Sequence, residues 1–351
     1  MHTIRVHSEH EYDVVVGCQW ESSLLQQASS HTRIAVIFSS TMREQVKALN
    51  AGESEIHFFE VPDGEAAKTS ATLHSLWNWL GAAGFTRSDL IVGVGGGTIT
   101  DLAGFAAATW LRGISWIAVP TTVAGMVDAS VGGKTGINSD YGKNLIGAFH
   151  SPKTVLIDTS WLLTLSDRDF AAGLAEVIKS GFIADVQILE KISGKNLAQI
   201  RSNAELVADL IIRSVAVKAH VVSADFKESF NREILNYGHT LAHAIEIDSK
   251  FSLRHGEAVS IGLVFAAELA QVKGLLSESV VEKHRQILQT VGLPTTYPRD
   301  AWQKLFPLLA LDKKSRGHLL RFVALSALGT VVRIEDANES ELMQAYERIS
   351  S

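Results

Sequence analysis

Three things are scarce in this chain of 351 residues: cysteine, an excess of basic charge, and long apolar runs. The single cysteine, Cys18, has no intramolecular partner, so no disulfide framework is expected. Lys and Arg number 32 against 38 Asp and Glu, a net charge of −6. That balance excludes nucleic acid as the main partner, because phosphate backbones are held by clustered basic charge. The most apolar long window, residues 90–113, is interrupted by Asp101, Arg112 and many glycines and falls short of the roughly 20 apolar residues of a membrane span. The first 17 residues carry His2, Arg5, His7, Glu9, His10, Glu11 and Asp13, so no secretory leader is expected either. What is present is an ordinary globular composition, 46% hydrophobic and 20% charged, long enough for two domains. The expectation is a protein of a reducing compartment, most simply the cytoplasm, with neither nucleic acid nor membrane as partner.

Short β-branched runs alternate with helical stretches over the first 160 residues, the pattern of a parallel sheet covered by helices. Strands are expected at 33–38, 56–61, 90–94, 116–119 and 154–157. Between two of them, Leu73, Leu76, Trp77 and Leu80 recur at helical spacing and predict a helix over 70–84. After Asp158 the strand-like runs nearly vanish and Ala/Leu/Glu/Lys-rich segments take over at 204–224, 240–247, 257–273 and 279–291. The fold class expected is therefore an α/β nucleotide-binding domain with a parallel sheet, residues 1–160, followed by an all-α metal- and substrate-binding domain, residues 161–351.

Leu90-Ile-Val-Gly-Val-Gly-Gly-Gly-Thr-Ile-Thr-Asp101 passes from a buried strand through Gly95, Gly96 and Gly97 into a helix starting near Thr98. Glycines at such a bend let backbone N–H groups approach a pyrophosphate at the electropositive end of a helix. The dinucleotide fingerprint itself is not matched, since its third glycine position falls on Thr98 or Thr100, and a triple glycine can serve only to make a tight turn. Gly132-Gly133-Lys134-Thr135 is not a P-loop, because the first required glycine falls on Asp128. The stretch from Pro120 through Thr121, Thr122 and Asp128 to Lys134, Lys143 and Asn144 still offers lysine point charges on a glycine-relaxed backbone. It reads as an anion site rather than a merely solvated loop.

Asn236-Tyr-Gly-His239-Thr-Leu-Ala-His243 puts two imidazoles one helical turn apart, and His255 follows. Histidines at i and i+4 suit zinc, whose catalytic sites use three protein ligands. A lone histidine is usually just a satisfied polar group; three within 17 positions are harder to read that way. Glu176, an acid in an apolar helical stretch with Lys179 on the next turn, is the best further ligand. Lys218, Glu228 and Arg232 lie just upstream at intervals compatible with one cleft, although exposed helix faces are the commoner place for Lys and Glu.

In combination, Gly95-Gly-Gly-Thr-Ile-Thr-Asp101, Leu111-Arg112-Gly113, Pro120-Thr-Thr, Asp128, Gly132-Gly-Lys134-Thr-Gly, Gly142-Lys-Asn144, Glu176-Val-Ile-Lys179, the His239 to Glu246 run, His255-Gly-Glu and Asp312-Lys-Lys314 resemble the 3-dehydroquinate synthases. These are sugar phosphate cyclases whose fold is related to that of glycerol dehydrogenase, and the motifs occur in order from Asp63 to Lys314. The resemblance implies conversion of 3-deoxy-D-arabino-heptulosonate 7-phosphate to 3-dehydroquinate and phosphate, the second step of the shikimate route. Tightly held NAD would oxidise C5, phosphate would leave by β-elimination, the same cofactor would reduce C5 again, and ring opening with an aldol closure would finish the carbocycle. It also implies a role for each matching residue. Glu176, His239 and His255 match the ligands of one zinc or cobalt ion, while His243 matches a substrate contact. Asp128, Lys134, Asn144, Lys179, Lys218, Glu228, Arg232, Asn236, His243 and Lys314 match substrate positions, with Arg112 reaching into the neighbouring subunit of a homodimer. Glu65, Lys68, Gly95, Gly96, Gly97, Asp101, Thr121, Thr122 and Lys143 match NAD positions.

Ala242 and Phe230-Asn231 depart from the family pattern, where glycine and Gly-Leu are frequent; the second departure bears on the turn presenting Glu228 and Arg232. The nearest rival is a sister cyclase acting on a sedoheptulose phosphate, which would not need Lys218, Arg232 and Asn236 as a carboxylate-facing set. A polyol dehydrogenase of the same fold would lack the phosphate lysines, and a non-catalytic regulatory or scaffolding protein would lack residues that this chain retains.

Overall fold

The computed structural model describes residues 1–49, 54–227, 231–315 and 320–351, with the side chains of 310–315 outside the description. Among the described residues no helix is long and apolar enough to cross a membrane. The chain divides into two compact units, Met1–Leu165 with Lys218–Lys227, and Ser166–Val217 with Glu228–Ser351.

The first unit is built on strands β1 (His2–His7), β2 (Glu11–Val16), β3 (Arg33–Ser39), β4 (Glu55–Val61), β5 (Leu90–Gly95), β6 (Ser115–Pro120), β7 (Lys134–Ser139), β8 (Gly142–Phe149) and β9 (Thr154–Ile157). Seven of them form one sheet in the order β1-β2-β9-β6-β5-β3-β4. Only the β1–β2 pair is antiparallel. Ile34–Phe38 of β3 and Leu90–Val94 of β5 are buried on both faces, as continuous apolar runs in a covered parallel sheet require. Helices α1 (Trp20–Ala28), α2 (Arg43–Lys47), α3 (Ser70–Ala82) and α4 (Gly97–Thr109) belong to the same unit. Thr69 caps α3 by accepting the N–H of Thr72, and Leu73, Leu76 and Leu80 form its buried stripe. The segment expected as an anion-binding loop instead forms an antiparallel hairpin, β7–β8.

The second unit holds α5 (Asp167–Ile183), α6 (Val186–Ile192), α7 (Leu197–Arg201), most of α8 (Ala204–Ala224), α9 (His239–Asp248), α10 (His255–Val272), α11 (Glu278–Thr290), α12 (Trp302–Ser315) and α13 (Glu339–Glu347). Its described residues are mainly helical, with a short hairpin of β10 (Phe322–Ala327) and β11 (Thr330–Ile334), an element the expectation of an all-α domain left out. From Lys218 onward the end of α8 groups with the first unit, which no single cut along the sequence can represent. Helices α5 and α10 are buried nearly all round and form the centre of the unit.

Candidate active site and its relatives

In the second unit the site starts from three helix positions. Ser166 caps α5, its hydroxyl accepting the Asp169 N–H, and the helix then buries every residue from Phe170 to Ile183, including Glu176 and Lys179. Helix α10 opens on His255, and the next residue must be glycine: a Cβ at Gly256 would lie 1.7 Å from the carbonyl oxygen of Ala172. That contact sets His255 against α5 one turn before Glu176. Helix α9 opens on His239 directly after Gly238, which has a φ of +80°.

The Nε2 atoms of His239 and His255 both lie 3.4 Å from Oε1 of Glu176. Each imidazole is aimed by its other nitrogen. Nδ1 of His239 donates to the carbonyl of Tyr237 at 3.1 Å, and Nδ1 of His255 is 3.3 Å from Oε2 of Glu246. Such outer partners fix the tautomer that leaves Nε2 to a ligand-binding role. Glu176 is only 2% exposed, and neither of its oxygens accepts a well-aligned hydrogen bond, although the Lys179 ammonium sits 2.5 Å from Oε2.

A buried carboxylate lacking aligned donors, facing two imidazole nitrogens, fits a divalent cation. Ligand atoms of Glu176, His239 and His255 all lie within 4.8 Å of one another. The 3.4 Å separations match the edge of a tetrahedron with bonds of about 2.0–2.1 Å.

Charge in the cluster follows the same geometry. Burial opposes ionisation of Glu176, but the Lys179 ammonium and His239 outweigh it and hold the carboxyl well below its usual range. Burial, reinforced by Lys179, pushes the His239 imidazole down. Burial also disfavours the His255 imidazolium, yet Glu176 and Glu246 overcome it and raise the pKa to about 10. A cation bound there displaces a proton.

The i,i+4 spacing of His239 and His243 suggests a ligand pair, but the cluster uses His255 instead. His243 is exposed, with its ring centroid 5.7 Å from that of His239 and 6.5 Å from that of His255. It borders the cluster without entering it. Buried Arg232 and half-buried Asn236 lie on the 3₁₀ turn Asn231–Asn236 leading into α9. Glu228 and Phe230 lie outside the described residues, as do the side chains of Lys313 and Lys314 in α12.

The triple glycine of the first unit ends β5 and begins α4, with Gly96 in the extended N-cap position. None of the three has a positive φ; at Gly95 and Gly97 what excludes a side chain is crowding. A Cβ at Gly95 would stand 2.6 Å from Cγ1 of Ile99, and one at Gly97 2.8 Å from Cβ of Ala129. Thr121 donates its N–H to the Gly95 carbonyl at 2.9 Å, and the hydroxyl oxygen of Thr122 accepts the Gly125 N–H at 3.0 Å. The bend and the Pro120–Gly125 loop therefore pack together.

Beside α4, the buried Lys68 ammonium bonds Oδ2 of Asp101 at 2.6 Å and also the side-chain oxygen of Asn144. Burial pushes the Asp101 carboxyl up, with the Lys68 ammonium opposing it. Glu65 pairs with Lys143 at 3.3 Å. Five predicted residues, Glu65, Lys68, Asp101, Lys143 and Asn144, thus form one polar network. Asn138, which no motif singles out, lies inside it. Asp128, on a π-helical turn, is paired with Lys218, and Lys134 stands exposed at the start of β7. Arg112 lies on an exposed turn, following Leu111, with φ values of +66° and +49°. Arg87 pins that turn by donating to the Leu111 carbonyl through Nε at 2.9 Å and a terminal nitrogen at 2.7 Å.

The family described as 3-dehydroquinate synthase N-terminal matches residues 58–172, and 3-dehydroquinate synthase C-terminal matches residues 173–315. The chain belongs to the 3-dehydroquinate synthase family. A 3-dehydroquinate synthase of Streptomyces avermitilis is 51% identical over 95% of this chain and 94% of its own length. One from Corynebacterium efficiens is 48% identical over 99% and 98%. Among solved structures, a 2-deoxy-scyllo-inosose synthase complexed with carbaglucose-6-phosphate, NAD+ and Co2+ superposes with a TM-score of 0.88, at 26% identity, over 99% of both chains. A 2-epi-5-epi-valiolone synthase from Streptomyces hygroscopicus, with NAD+ and Zn2+ bound, also scores 0.88, at 27% identity over 99% of this chain and 98% of that one.

Proposed function

We propose that the residues assembled above carry out the reaction of the family: 3-deoxy-D-arabino-heptulosonate 7-phosphate is converted to 3-dehydroquinate and phosphate without net redox change. The chain is accordingly a phosphorus–oxygen lyase of the shikimate route. The observation that carries the reading is the Glu176, His239 and His255 cluster, buried and cation-shaped, in a chain about half identical to curated dehydroquinate synthases. Identity to the two sister cyclases is roughly half as high, which supports the heptulosonate over a sugar phosphate without a carboxylate.

Glu176, His239 and His255 would hold one zinc or cobalt ion, which when bound polarises a substrate oxygen and eases loss of its proton. Gly95, Gly96, Gly97, Thr121, Thr122, Asp101, Glu65, Lys68 and Lys143 would hold NAD, which supplies a reversible hydride acceptor. The open end of α4 offers backbone N–H groups to an anionic cofactor. Lys134, Lys179, Lys218, Arg232 and Asn236 supply cationic and amide donors for a substrate with a phosphate at one end and a carboxylate at the other. His243, exposed beside the ligand cluster, would exchange a proton with bound substrate. Asp128, Asn144, Glu228 and Lys314 complete the substrate set. Arg112, on its strained and pinned turn, serves the neighbouring subunit of a cytoplasmic homodimer.

The test is incubation of metal-loaded protein with the heptulosonate phosphate and catalytic NAD, following phosphate and dehydroquinate together. Equal release of both is expected. Absence of phosphate release, or stoichiometric accumulation of NADH, overturns the reading.

A further inference from the structure

We infer that Asn138 is a positioning residue that locks Lys143 and Asn144 of the β7–β8 hairpin onto Glu65 and Lys68. The inference rests on the reading of those four residues as cofactor and substrate contacts.

The hairpin is regular from Lys134 to Ile137, where Ile137 pairs with Ile146, and then shifts register before Ser139 pairs with Gly142. Asn138 occupies that irregularity. A bulge releases a residue from the ladder and re-aims its side chain. Here the freed N–H of Asn138 donates out of the hairpin to the carbonyl of Lys68 at 2.9 Å. Its Nδ2 donates to Oε2 of Glu65 at 2.6 Å, while its Oδ1 accepts the backbone N–H of Asn144 at 3.0 Å. One residue thereby bonds to three of the predicted contacts.

The consequences reach the fourth. With Oε2 of Glu65 taken by Asn138, Oε1 of that carboxylate meets the Lys143 ammonium at 3.3 Å. Asn144 has a φ of +57°, a strained choice for a residue with a side chain, and its N–H is held in that conformation by Asn138. In that pose the side-chain oxygen of Asn144 meets the Lys68 ammonium, which also binds Asp101. A primary amide is the group needed, since it donates to a carboxylate and accepts an N–H at once. The hairpin has its own supports, a ladder from Lys134–Phe149 to Ile137–Ile146 and a turn in which the Ser139 hydroxyl accepts the Tyr141 N–H.

The experiment titrates the full-length chain with NAD+ by calorimetry, and measures kcat and KM for the sugar phosphate. Asn138→Ala should weaken NAD+ binding on the order of tenfold and raise KM for the sugar phosphate comparably, the loss expected when hydrogen bonds to charged and backbone groups are broken. Asn138→Asp keeps the acceptor for Asn144 but sets a carboxylate against Glu65. It should lose NAD+ affinity at least as far while its KM stays nearer wild type, and it also serves if the alanine variant does not fold. Ser139→Ala, which disturbs the same turn outside the network, should keep wild-type affinity. Wild-type NAD+ binding and KM in both Asn138 variants, or an equal loss in Ser139→Ala, overturns the inference. A wild-type chain that binds no NAD+ overturns the underlying cofactor reading instead.

Discussion

At the scale of single residues, chemistry is decided by which atom of a side chain is left over. His239 and His255 each spend Nδ1 on a neighbour and turn Nε2 toward Glu176, whereas His243 stands exposed beside them. We therefore expect His255→Ala to lose its metal and its activity together, and His243→Ala to lose activity while retaining about one metal equivalent by elemental analysis. A metal-free His243→Ala protein would reverse the assignment. Helical spacing alone points to His239 and His243 because i and i+4 share a face. It is blind to His255, whose place comes from the approach of α10 to α5 at Gly256. Glu176 was readable as an anomaly, an acid where a buried helix face should be apolar. Asn138 gave no such signal, because asparagine in a turn-rich stretch is ordinary.

At the scale of elements, the parallel strands β3, β5, β6 and β9 and the helices from α8 to α11 were legible to within a residue or two, since continuous apolar runs and long amphipathic stripes are strong signals. The polar β1–β2 pair and the β7–β8 hairpin were not. In β7–β8, Gly136 and Gly147 face one another where a Cβ at Gly147 would lie 2.2 Å from the Thr135 carbonyl oxygen. Glycine-rich strands carry no side-chain alternation to read.

Helix α11 also carries a buried histidine, His284, that no motif marks. Nδ1 of His284 donates to the Val280 carbonyl at 2.7 Å, so Nε2 accepts the Tyr237 hydroxyl at 2.9 Å, with Phe182 stacked on the ring at a centroid distance of 3.6 Å. Burial lowers the pKa of this neutral ring from 6.5 to about 4. Its contribution is fully present above pH 6.5 and declines as pH falls toward about 4, because the unfolded chain takes up the proton first. The decline amounts to about 3 kcal/mol over that window. Urea unfolding at several pH values should show that much less acid sensitivity in His284→Gln, which offers a donor and an acceptor to the same neighbours but does not titrate; identical slopes would refute it.

At the scale of the whole molecule, Arg112 makes the prediction that a single chain cannot satisfy. If it serves the neighbouring subunit, mixing Arg112→Ala with His255→Ala after subunit exchange should restore about a quarter of wild-type activity per subunit, since each heterodimer holds one intact site. Two variants that stay inactive when mixed would place Arg112 in its own subunit's chemistry.

Composition, the order of motifs and the periodicity of apolar residues were enough to set the class of fold, the family and the kinds of side chain available, because each is a property of the chain read locally. Which carboxylate faces which imidazole, which nitrogen is left free, and that an asparagine at a bulge ties Glu65 to Asn144, were decided only by close approach of segments distant in sequence. Those approaches depend on where a missing Cβ lets two backbones meet, and no local pattern of residues records with what a glycine will be in contact.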